Sequence, residues 1–84
     1  MIKEVTRVTP LENYMLFLQF NDNISGIFDC KPYLEKGVFK NLKVLSEFNQ
    51  VRLAFGTIEW PCGADFDPEG LYEIIKNKAD DSNF

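Results

Sequence analysis

Histidine is absent from all 84 residues. Without it there is no side chain that ordinarily titrates near neutral pH, which excludes Ser–His–Asp triads, Cys–His dyads and imidazole metal ligands. Cysteine is scarce: Cys30 and Cys62 are the only two, and two thiolates without histidine cannot build an ordinary structural zinc site. No glycine-rich loop of the phosphate-cradling kind is present. No apolar run approaches a membrane span, and the opening "MIKEVTRV" has no apolar signal segment. The expectation is a cytoplasmic protein with reduced thiols, no cofactor and no metal.

Positive charge is also in short supply. The net charge is −4 and unevenly spread. Up to Ala54 there are seven basic and six acidic residues; from Phe55 onward there are two basic and seven acidic. Nucleic-acid affinity rests on Lys and Arg neutralising phosphates, so an acidic C-terminal third argues against nucleic acid as the partner of this chain. A basic protein surface suits it better. Only Lys31, Lys36, Lys40 and Lys43 could supply a basic face, and they read as the wet side of short helical turns.

Hydrophobic residues make up 45%, with eight phenylalanines, enough for a core without disulfides. The length allows one domain, residues 1–84, with an acidic tail from about 79 to 84 expected to fray.

Residues 2–8, "IKEVTRV", suit a strand that Thr9-Pro10 should end, because proline lacks an N–H. "YMLFLQF", Tyr14 to Phe20, puts Tyr14, Leu16, Leu18 and Phe20 on one face and Met15 and Phe17 on the other. Apolar residues on both faces predict a central strand covered on both sides. Asn21-Asp22-Asn23 is a turn, and "ISGIFDC", Ile24 to Cys30, returns as a third strand.

Between Lys31 and Gly37 there is room for about one helical turn. From Val38 to Phe48, Val38, Phe39, Leu42, Leu45 and Phe48 share a helical face, with nothing forcing continuity in the middle. "VRLAF" then alternates, with Val51, Leu53 and Phe55 facing as Ile58 and Trp60 do, across a predicted Gly56-Thr57 turn. The last helix begins near Pro68 with Leu71, Ile74 and Ile75 inward. The expected architecture is α+β: a small antiparallel sheet, made of a three-stranded meander plus a hairpin, with two or three short helices.

The segment "TIEWPCGADFDPEGLYEII" concentrates the unusual residues. Asp65, Asp67, Glu69 and Gly70 match the front of a calcium loop, but position 12 is Lys76, where a bidentate glutamate belongs. Asp65 and Asp67 would also serve as a carboxylate pair for magnesium or acid–base work, although the sequence supplies no partner group. Helix capping fits every residue type better. Asp67 suits the N-cap, Pro68 suits N1, and Glu69 adds negative charge at the positive helix end. Gly63 allows a positive φ in the turn, and Asp65 can accept from loop amides. Trp60 reads as a core lid and Cys62 as an inert thiol.

The pattern W-P-x-G-A-D followed by P-E-x-L-Y, here Trp60, Pro61, Gly63, Ala64, Asp65, Pro68, Leu71 and Tyr72, resembles a widespread bacterial family, domain of unknown function 2442. The likeness runs through "VTRVTPLENYMLFLQFND" and "FDCKPYLEKGVFKNL" as well. Cys62 stands where relatives commonly carry a small or polar residue, and Asn23 where a turn glycine is usual. The resemblance implies a small α+β fold and no established activity. It also implies a small stand-alone protein of the kind found in toxin–antitoxin-like pairs, without the helix-turn-helix domain that some relatives carry.

Together these readings point to a non-enzymatic protein-interaction module whose partner is another small protein, with no membrane role. Its contact surface is expected around Trp60, Pro61, Gly63, Asp65, Asp67, Glu69 and Tyr72. The alternative is a metal-dependent enzyme or small-ligand binder using Asp65, Asp67 and Glu69. Homo-oligomer formation is left open.

Overall fold

The computed structural model describes residues 3–81, with side chains described as far as Asn77. Strands β1 (Val5–Leu11), β2 (Met15–Phe20) and β3 (Ser25–Asp29) form an antiparallel meander in that spatial order. Two 3-10 segments, Lys31–Tyr33 and Gly37–Lys43, and the one-turn helix α1 (Leu45–Phe48) lead to a hairpin of β4 (Arg52–Ala54) and β5 (Thr57–Glu59). Helix α2 (Pro68–Asp81) closes the fold. The α+β architecture, the meander and the separate hairpin all match the sequence-based expectation.

Alternation along β2 builds the core. Leu16, Leu18 and Phe20 are buried, and across the sheet Leu16 lies opposite Phe28 and Leu18 opposite Gly26. A Cβ on Gly26 would sit 3.0 Å from Ile75 Cγ2, so glycine here lets α2 lie close against β3. Leu71 and Ile75 of α2, Ile58 and Trp60 from the hairpin, and Leu42 and Phe48 from the helical connection complete one continuous core.

Several local expectations are corrected. β1 does not stop at Thr9-Pro10 but runs to Leu11, with Pro10 opposite Leu16. β1 is an edge strand, where a missing N–H can face away from the ladder. Its predicted start at Ile2 lies outside the described residues. Tyr14 is not in β2: Glu12–Tyr14 form a 3-10 turn, with Asn13 at φ 60° and Tyr14 at φ 59°. The second face of β2 is not covered by the described core, since Met15 and Phe17 are half-buried and stand apart from it.

The predicted 38–48 helix is split by extended Val44 (ψ 116°). A 3-10 period brings Phe39 and Leu42 inward and would bring Leu45 next. Val44 resets the phase, so Leu45 stays exposed and Phe48 is buried instead.

The hairpin turn is Phe55-Gly56, one residue earlier than predicted. Both residues have positive φ, 53° and 78°, the sense of a type I′ turn, whose twist matches its strands. Thr57 is drawn into β5 because its hydroxyl donates to the Phe66 carbonyl (2.5 Å). Phe55, expected inward, is fully exposed, and Leu53 is 45% exposed although it lies opposite buried Ile58. α2 begins at Pro68 as predicted and continues to Asp81, into the stretch expected to fray. Residues 82–84 lie outside the described residues.

Candidate interaction surface

The joint from Trp60 to Tyr72 is a strand, a folded-back loop and a helix start. The Trp60 N–H donates to the Ala64 carbonyl and the Gly63 N–H to the Trp60 carbonyl, each at 2.9 Å. Gly63 sits at φ 99°, a conformation open to glycine and costly for other residues. Asp65 then pairs through its backbone with Glu59, extending the edge of β5. The loop therefore has a fixed course.

Trp60 anchors that loop from inside. It is 1% exposed, its Nε1–H donates to the Phe48 carbonyl at 2.8 Å, and its ring packs among Phe39, Phe48 and Phe66. It is a core side chain, so it offers no aromatic face to a partner. Pro61, Gly63, Asp65, Asp67 and Glu69 are the members of the predicted set that stand exposed.

Their carboxylates divide by role. Asp67 caps α2: its Oδ2 accepts from the Gly70 N–H at 3.1 Å, and its carbonyl accepts from the Leu71 N–H. Asp65 was expected to accept from loop amides and does not; its carboxylate has no hydrogen-bond partner among the described residues. The turn is closed by backbone bonds alone, which leaves that side chain to solvent. Neither Asp65, Asp67 nor Glu69 forms an ion pair with a described residue. Among the described residues no three His, Cys, Asp or Glu side chains converge as metal ligands would. A hollow of about 650 Å³ lies elsewhere, lined by Pro10, Leu11, Glu12, Asn13, Leu45 and Asn49.

Tyr72 holds a cluster that the sequence did not announce. Its hydroxyl donates to Asp22 Oδ2 at 2.6 Å, and the same oxygen accepts from Lys3 Nζ at 3.4 Å. The Lys3 ammonium lies 4.5 Å from the centre of the Tyr72 ring, and the Ile24 N–H donates to Asp22 Oδ1. The Tyr72 hydrogen bond is the leading cause holding the Asp22 carboxyl below its usual range; burial pushes the other way, and the Ile24 amide and Lys3 reinforce the lowering. For Lys3, burial works against the charge, but Asp22 and Tyr72 together leave its pKa raised. This cluster ties the β2–β3 turn, the start of the chain and α2 together. Asp22 was legible only as a turn former.

Both cysteines are free thiols. Burial, aided by the Asp29 charge, pushes the Cys30 thiol up to about 12, which suits an inert core residue. No described helix is long and apolar enough to cross a membrane.

A family model described as a protein of unknown function, DUF2442, matches residues 5–77. No curated protein and no solved structure matches the chain.

Proposed function

We propose that this chain, which belongs to the DUF2442 family of proteins of unknown function, is a protein-interaction module that docks a basic partner protein through the outer edge of the Trp60–Tyr72 joint. One observation carries the reading. From Phe55 to Ile75 there are five acidic side chains and no basic one, and Asp65, Asp67 and Glu69 stand exposed on a fixed turn and the helix start that follows it, none of them ion-paired with a described residue. Charges held in place without local neutralisation steer and select an oppositely charged surface. Pro61 and Gly63 supply the shape of that edge. Trp60 and Tyr72 act behind it, one fixing the loop and the other fixing α2. A small basic protein encoded alongside, as in toxin–antitoxin-like pairs, is the partner class that fits.

Capture from a bacterial host lysate on the tagged protein tests this. The expected result is one specific partner, released by added salt and lost from the double charge reversal Asp65→Lys, Glu69→Lys, neither of which supplies the Asp67–Gly70 capping bond. Recovery of no specific protein, or capture indifferent to the reversal, overturns the proposal.

A further inference from the structure

The meander has a second face that the described core does not use. Met15 and Phe17 project from β2 on the side opposite Leu16 and Leu18, and neither packs against the core. Unlike the core phenylalanines, Phe17 makes no ring contact with a described aromatic. Register places Leu11 of β1 beside Met15 and Ile27 of β3 beside Phe17 on this same face, and those two are 38% and 43% exposed.

Two charges frame the apolar centre, at opposite corners. Arg7 lies opposite Gln19 on one outer strand, and Asp29 lies opposite Met15 on the other, four residues further along β2. Arg7 is exposed and forms no ion pair with a described residue. Asp29 holds Lys31 through Oδ1 at 3.1 Å and keeps its side chain 33% exposed. The same Oδ1 also accepts from the Lys31 N–H, and a carboxylate with two oxygens has acceptor sites for a further cation.

This layout is self-complementary in one way. Strands lie about 4.8 Å apart and rise about 3.4 Å per residue, so Arg7 and Asp29 sit roughly 5 Å to either side of Phe17 and roughly 7 Å along the strands in opposite directions. A two-fold axis in the plane of the face, passing through Phe17 at about 45° to the strands and leaning in the sense of the Leu11–Ser25 diagonal, brings Arg7 of one copy to within about 3 Å laterally of Asp29 of the other. The two sheets then cross near a right angle, a recognised packing of sheet on sheet. An axis along the strands, or across them, sets Arg7 over Ser25 or Leu11 instead. An axis along the Arg7–Asp29 diagonal sets like charges together.

We propose that this face is a homodimer interface, with Phe17 packed against its symmetry mate and two reciprocal Arg7–Asp29 ion pairs at the corners, the isologous arrangement of a two-fold dimer. α2 covers the opposite face of β3 at Gly26, so self-association leaves the acidic joint open. A patch of this size falls below about 1,200 Å² of total buried surface, the range of weak, reversible contacts.

Sedimentation velocity over a concentration series into the hundreds of micromolar, on the full chain, tests the proposal. A reversible monomer–dimer equilibrium is expected. Phe17→Thr and Arg7→Asp should each raise its dissociation constant by roughly tenfold or more, and Arg7→Asp combined with Asp29→Arg should recover the dimer. Far-UV circular dichroism verifies that each variant folds; threonine suits a strand position facing water. A wild-type monomer at every concentration, a dimer indifferent to both single variants, or a folded double variant that stays monomeric overturns it.

Discussion

Asp22 and Tyr72 are 50 residues apart in sequence, and a single 2.6 Å hydrogen bond joins them. Because the folded Asp22 pKa lies below the ordinary aspartate value of about 3.9, its stabilising contribution is fully present above that value and is lost as pH falls through the lower folded one. Tyr72→Phe removes the leading cause of the shift. The variant should be less stable than the wild type near neutral pH, and the gap should close in strong acid; urea midpoints measured across that range check it. A gap that stays constant would assign the effect to ring packing. Thiol chemistry gives a second check at this scale. Cys30 is 1% exposed with its pKa pushed up to about 12, whereas Cys62 is only partly buried. Ellman's reagent should therefore modify one thiol quickly in the native protein and the second only on unfolding, with Cys62→Ser abolishing the fast phase. None of the Asp22 cluster was readable from the sequence, because it depends on where α2 lands against the turn.

At the scale of single elements, the interactions that stay within a few residues were the readable ones. The cap of α2 is such a case: Asp67, Pro68 and Glu69 occupy the positions their chemistry favours, and the Asp67–Gly70 bond spans three residues. Asp67→Ala should lower unfolding free energy by about 1 kcal/mol, seen as a shifted denaturant midpoint. The β4–β5 turn shows the opposite. Its slip by one residue follows from Thr57 reaching Phe66, nine positions on, and no local pattern reveals that bond. The slip leaves Phe55 at φ 53° with its side chain fully in water. A bulky residue there carries a backbone cost and gains no burial. Phe55→Asn, producing the Asn-Gly pair that type I′ turns favour, should stabilise by about 0.5–1 kcal/mol in the same assay. Pro10 misled for a related reason: it ends a strand only when its missing N–H falls on a paired side, and β1 has an unpaired one.

For the molecule as a whole, fold class was legible because alternation and turn residues recur over the full length. What covers each sheet face was not. Apolar residues on both sides of β2 read as a strand buried twice over, yet α2, the hairpin and the helical connection all contribute to one core, on the Leu16–Leu18 side. That core runs unbroken from Val5 to Ile75, so unfolding should be a single cooperative step. Far-UV and near-UV circular dichroism should give coincident transitions in urea; separated midpoints would show the hairpin and meander to be independent units. The candidate site was half legible: its exposed carboxylates stood out in the sequence, while the burial of Trp60 depends on distant Phe39 and Phe48, with Phe66 of its own loop, closing around it.

That closure has a practical side. The single indole is shielded from water and tied to the Phe48 carbonyl, so its emission reads out the integrity of the interior. A partner arriving at the carboxylates outside would leave that light unchanged, and a titration followed by intrinsic fluorescence would miss an encounter that a dye placed at Cys62 would see.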